Sequence, residues 1–114
     1  MLIRQLAPTP AGHVLLIVRC ADVARPAGKY LAGRSPADSA ELAIVFDDSL
    51  GFHRDIAAVY GLQPLGGGWC EIDHARHTVC LSGRSAEFGP EPRRHLTVSL
   101  FQQVFAGYTV WAED

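Results

Sequence analysis

Five consecutive apolar residues, Val14-Leu15-Leu16-Ile17-Val18, constrain this chain more than any other stretch. A surface helix needs polar positions every three or four residues, and a half-exposed strand needs them every second one. The run has neither pattern, so it predicts a central strand buried on both faces. Leu42-Ala43-Ile44-Val45-Phe46 repeats the signal. A chain of 114 residues has room for one core, so both strands belong to one sheet and residues 1–114 to a single domain.

Around these two strands the remaining elements fall in order. Leu2 to Leu6 reads as a short edge strand stopped by Pro8 and Pro10. Residues 21–39 hold two prolines, two glycines and three cations, and read as a long surface loop. Asp47 to Phe52 carries cap-type residues, and a short helix from about His53 to Tyr60 places Ile56, Val59 and Tyr60 toward the sheet. Gly61 suits its C-terminal end. Leu65 to Pro90 reads as a β-hairpin between two loops. Its strands are Cys70 to Asp73 and Thr78 to Leu81, with Gly66-Gly67-Gly68 before and Ser82 to Pro90 after. A helix over Pro92 to Phe105 puts Leu96, Leu100, Phe101, Val104 and Phe105 on one stripe. Tyr108 to Trp111 is a closing strand. The order β-β-β-α-β-β-α-β lacks strict alternation, which predicts a mixed sheet with both helices packed on it, an α/β sandwich.

Charge and cysteines narrow the partners. The formal net charge is −2 and no long basic run occurs, which argues against nucleic acid or an anionic membrane. The first ten residues lack the apolar segment of a signal peptide, and the longest apolar run is far too short to span a bilayer. Cys20, Cys70 and Cys80 are odd in number and suit neither a zinc site nor a disulfide framework. Free thiols in a reducing cytoplasm are the expectation; the further expectations are a monomer with no cofactor and no metal.

His53 is the residue on which chemistry would turn. It stands at a helix N-terminus, where the dipole and the free amides disfavour an imidazolium. A neutral imidazole can serve as base or nucleophile. The same helix end attracts anions, and the loop Gly83 to Gly89 can form a concave site of successive amides. The alternative is a packing role for His53. Ser85 could give its hydroxyl to an anion or satisfy a turn. Arg84, Arg93 and Arg94 could pair with phosphate oxygens or form a soluble surface. Asp73, His74 and His77 could ligate a metal or form a solvated hairpin tip, and His95 reads as solvent-facing. Tyr60, Trp69, Tyr108 and Trp111 read as core or core edge.

The motifs carrying these residues resemble those of the Janus/Ocnus family of phosphohistidine phosphatases. Phe52-His53-Arg54-Asp55-Ile56 is similar to the family's aromatic-His-x-Asp-Ile segment, and Leu65-Gly66-Gly67-Gly68 to its Leu-Gly-Gly-Gly. Gly83-x-Ser85-x-x-Phe88-Gly89-Pro90 resembles its Gly-x-Ser-x-x-Tyr-Gly-Pro, and Tyr108 to Asp114 its Trp-Ala-Asn-Asp ending. The resemblance implies a six-stranded sheet with two helices, and hydrolysis of phosphohistidine or phospholysine in proteins or peptides without a metal. It implies that His53 is the general base or transient phosphate acceptor, and that Ser85, Ala86 and Glu87 hold the phosphate. Two positions depart from the pattern: His13 stands in place of a phosphate-binding lysine, and Trp69 in place of an arginine. Arg84 or Arg54 are the cations available to replace them. The other expectations are a non-catalytic module that binds a phosphorylated or acidic ligand, and an interaction domain using an edge strand or the loop 21–39.

Overall fold

The structure, a computed structural model, describes residues 1–10, 12–35 and 42–113. Its elements are β1 (Leu2–Thr9), β2 (Gly12–Arg19), β3 (Ala27–Arg34), β4 (Leu42–Asp47), α1 (His53–Tyr60), β5 (Gln63–Asp73), β6 (Thr78–Ser82), α2 (Arg94–Val104) and β7 (Thr109–Ala112). The strands form one mixed sheet in the order β1-β2-β4-β3-β5-β6-β7. β2 runs parallel to β4 and β6 parallel to β7, while the other neighbours are antiparallel.

The fold is mixed α/β with two helices, as the sequence predicts, but the described residues hold seven strands rather than six. The additional strand is β3, which lies in the stretch that reads as a surface loop. It sits between β4 and β5 near the middle of the sheet, with Tyr30, Leu31 and Ala32 fully buried. Its glycines explain both its position and its disguise. A Cβ on Gly28 would press on Asp48 and the Phe46 ring, and one on Gly33 would lie 2.8 Å from the Gln63 carbonyl oxygen. Neighbouring groups occupy the space that branched side chains normally fill in a central strand. Residues 36–40 of the same stretch lie outside the described residues.

β2 behaves as its composition requires. Leu15 packs with Leu31, Ala43, Val45 and Ile56 on the α1 face. Val14, Leu16 and Val18 join Ile44, Phe46, Leu100 and Phe101 on the α2 face. The helices therefore cover opposite faces. β1 extends to Thr9 with Pro8 inside it, which an edge strand tolerates. α1 ends at Gly61, whose left-handed φ of 64° lets its N–H reach the Ala57 carbonyl. α2 begins at Arg94, two residues after Pro92, because Glu91 turns into the core. In the hairpin turn the Asp73 carboxylate accepts the Ala75 and Arg76 amides, both at 3.1 Å.

The three glycines are not a loop. They continue β5 in register with β3, Gly66 opposite Ala32, Gly67 opposite Leu31 and Gly68 opposite Tyr30. Trp69 and Trp111 are not core residues either, being 39 % and 38 % exposed. Cys20 and Cys70 are buried, Cys80 is half-buried, and all three are free thiols. No described helix is long and apolar enough to cross a membrane.

Candidate functional site

The triple glycine builds a seat for His53. On β5, Gly67 faces α1, and a Cβ there would stand 2.6 Å from His53 Cδ2 and 2.8 Å from its Nε2. Without that Cβ the imidazole lies directly on the sheet. Its Nε2 is 3.1 Å from the Gly68 carbonyl oxygen. A carbonyl only accepts, so Nε2 carries the ring proton and Nδ1 keeps the lone pair of the neutral ring. Gly68 faces the other way, where a Cβ would strike the Tyr30 ring, Arg94 and the Ser82 carbonyl. At Gly66 a Cβ would run into the Pro90 backbone, which carries the exit loop past the strand.

His53 is 8 % exposed, and its pKa is lowered from the ordinary histidine value. Burial is the largest cause; the Gly68 carbonyl opposes it, the Lys29 ammonium reinforces it, and the Tyr30 carbonyl and Glu87 carboxylate oppose it. The neutral imidazole expected from the helix dipole is therefore obtained mainly by desolvation. Phe52, the residue before the helix, adds an exposed ring on which Lys29 Nζ (5.0 Å from the centroid) and Arg54 Cζ (4.6 Å) both rest.

The exit loop closes on itself. The Ser85 N–H donates to the Gly89 carbonyl at 3.1 Å, and the Gly89 N–H returns to the Ser85 carbonyl at 2.9 Å. The Phe88 N–H donates to Ser85 Oγ at 3.0 Å. Ser85 is 1 % exposed. Its amide is thus already engaged, contrary to the expectation that the amides of 85–87 act together. Its hydroxyl accepts from Phe88 and retains a hydrogen to donate. At the tip, no acceptor among the described residues takes the amides of Ala86 and Glu87.

His53 and this loop share one cavity of about 360 Å³, lined by Lys29, Phe52, His53, Arg54, Arg84, Ser85, Ala86 and Glu87. Three cations face one carboxylate there. His13 is not among the lining residues; it is exposed at the start of β2, paired with Pro8. Arg94 does not line the cavity either. Its Nε binds Glu91 at 2.9 Å, its Nη1 the Glu113 carbonyl at 3.1 Å, and its Nη2 the Gly83 carbonyl. The cation missed from sequence is Lys29, hidden in the unrecognised strand β3. Across the sheet it pairs with Trp69.

A buried carboxylate, also unforeseen, anchors the loop. Glu91 accepts from the Tyr30 hydroxyl, from Thr97 Oγ1 at 2.5 Å and from Arg94 Nε at 2.9 Å. Burial, then the Glu91 carboxylate, push the Tyr30 phenol far above its usual range. The network fastens the loop to β3, α2 and the stretch after β7. The only available sequence signal was a carboxylate three residues before an arginine at a helix start. The hairpin histidines are engaged elsewhere: His74 Nδ1 is 2.7 Å from the Tyr108 hydroxyl, and the His77 ring packs on Tyr108. Among the described residues no three His, Cys, Asp or Glu side chains gather as metal ligands.

In comparisons with known proteins, no family model matches the chain and no curated protein matches it significantly.

Proposed function

We propose that the chain hydrolyses a phosphoramidate, the N–P bond of phosphohistidine or phospholysine in a protein or peptide, without a metal. The single observation that carries this is the sharing of one cationic cavity by His53 and the exit loop. Its volume of about 360 Å³ accommodates a phosphoryl group and part of the side chain bearing it. The free amides of Ala86 and Glu87, the Ser85 hydroxyl and the cations Lys29, Arg54 and Arg84 supply donors for the equatorial oxygens. Glu87 offers its amide, and its carboxylate is offset by the three cations of the cavity.

In this mechanism His53 acts through Nδ1. It accepts a proton from water as the water oxygen attacks phosphorus in line with the breaking N–P bond. The departing imidazole or amine nitrogen then takes up a proton, and inorganic phosphate remains on the loop. Direct attack by Nδ1, followed by hydrolysis of a phospho-His53 intermediate, uses the same geometry. Positioning and charge stabilisation account for most of the rate in phosphoryl transfer, which suits a site of fixed amides and cations.

His53→Ala is expected to abolish release of phosphate from a phosphohistidine peptide while phosphate or sulfate still binds. Wild-type turnover by this variant would refute the proposal. The second reading, a binding module for a phosphorylated or acidic ligand, is favoured by the position of His13 outside the cavity. It predicts saturable binding with no phosphate release over hours.

A further inference from the structure

We propose that the bare α1-side face of β3, β5, β6 and β7 is where the substrate polypeptide lies, and that it selects a basic side chain near the phosphorylated residue. The proposal rests on the phosphoramidate reading above and names the substrate class that reading leaves open.

Side chains alternate along β5. Trp69, Glu71 and Asp73 therefore share the face of Gly67, on which His53 rests. α1 covers that face over Leu15, Leu31, Ala43 and Val45 and, through His53, over Gly67 of β5. Beyond Lys29 and Trp69 lies a second cavity of about 450 Å³, where Glu71, Asp73 and Glu113 face Arg25 and Arg76 beside Cys80 and Trp111. Its floor is one straight row across four strands, Ala27-Glu71-Cys80-Trp111. The neighbouring row on this face is Lys29-Trp69-Ser82, and Lys29 lines the His53 cavity. His53 rests on Gly67, two alternate-residue steps along β5 from Glu71, roughly 13 Å. That span matches residues i and i+4 of an extended peptide.

The chemistry of the second cavity is opposite to that of the first. Arg25 Nε and Asp73 Oδ2 pair with each other at 3.6 Å, and Arg76 belongs to the hairpin turn at the far end. Glu71 and Glu113 have no cation within ion-pairing distance among the described residues. Each accepts an indole N–H, from Trp69 and Trp111 respectively, both at 3.1 Å. Each carboxylate keeps an oxygen uncommitted, and each indole is held with its polar edge satisfied. Both carboxylates also act on the Cys80 thiol, which burial first and then Glu113 and Glu71 push up. The unpaired Glu71 and Glu113 beside the exposed Trp111, with Trp69 in the neighbouring row, match a guanidinium or ammonium on an aliphatic stem. Bare tryptophan faces are also common anchors of binding surfaces. A phosphoryl group in the cationic cavity and an arginine or lysine in the acidic, aromatic one define a phosphorylated peptide with a basic residue about four positions away.

The chain has two tryptophans, and both lie on this face, so intrinsic fluorescence reports its occupancy. Two unphosphorylated histidine peptides are titrated, one with arginine and one with glutamate four residues from the histidine. The arginine peptide is expected to bind about tenfold more tightly. In the double variant Glu71→Gln/Glu113→Gln the difference should shrink to about twofold or less. Glutamine keeps the acceptor for each indole, and thermal unfolding verifies that the variant is folded. Equal affinity of the two peptides for the wild-type chain, or an undiminished preference in the variant, would overturn the proposal. Phosphorylated versions separate the two claims. Preference for arginine with no gain from phosphorylation and no phosphate release sinks the phosphoramidate reading and leaves the docking surface standing.

Discussion

The substitution Gly67→Ala tests the seat beneath His53 more sharply than removal of the histidine does. The added Cβ would lie 2.6 Å from both His53 Cδ2 and the Tyr30 carbonyl oxygen. Tyr30 is fully buried in a central strand, so β5 shifts locally away from its carbonyl while the ring gives way on the other side. Ordinary contact begins at 3.4 Å, so the ring must retreat by roughly 0.8 Å. A displacement near 1 Å at a reacting group costs on the order of 100-fold in rate. Overpacking of this kind costs about 1–3 kcal/mol of stability. Displacement hydrates the ring and so relieves the largest cause of the lowering, and the His53 pKa should rise toward its ordinary value, with the weakened bond to Gly68 opposing part of that rise. Three measurements follow: phosphate release from a phosphohistidine peptide, chemical denaturation, and NMR titration of the imidazole. Gly51→Ala is the control, because nothing lies within 4 Å of that Cβ. If Gly67→Ala retains wild-type turnover and leaves the His53 titration unchanged, the seat has been misread.

Two further predictions concern the same neighbourhood. Glu91→Ala strands the Tyr30 hydroxyl, Thr97 and Arg94 together, and should cost about 3–5 kcal/mol in denaturant unfolding; a loss below about 1 kcal/mol would mean that the network does not anchor the loop. The pH dependence follows from the lowered pKa of His53. The unfolded chain binds the proton more readily than the native chain, so the stabilisation due to neutral His53 is full above the unfolded value near 6.5 and fades as pH falls through the folded value. Turnover should fall on the acid side with an apparent pKa below about 6.5, and stability curves of wild type and His53→Ala should converge in that range.

Much of the frame is legible in the residues, and the exceptions share a cause. Val14 to Val18 and Leu42 to Phe46 announce buried strands because their own side chains fill the space around them. β3 and Gly66 to Gly68 do not, because other elements fill theirs: Phe46 and Gln63 around β3, and His53, Tyr30 and Pro90 around the glycines. A sequence shows which residues have no side chain, but not whose side chain takes the room. Lys29 was lost with β3. Glu91 stands out in no motif, and Arg94 reads as a phosphate-pairing or surface cation, because their partners Tyr30, Thr97 and the Gly83 carbonyl converge from separate segments. Conversely, the juxtaposition of His53 with Ser85, Ala86 and Glu87 was visible in the motifs, though the engaged Ser85 amide was not.

The imidazole leans on peptide groups alone. Point replacements along most of β5 can alter every neighbouring side chain and still leave those carbonyls where they are. Deleting a single residue of β5 ahead of Gly66 would instead reverse which side of the ribbon each glycine presents. The geometry of the His53 seat is therefore expected to tolerate drift in residue identity and to break on changes in strand length.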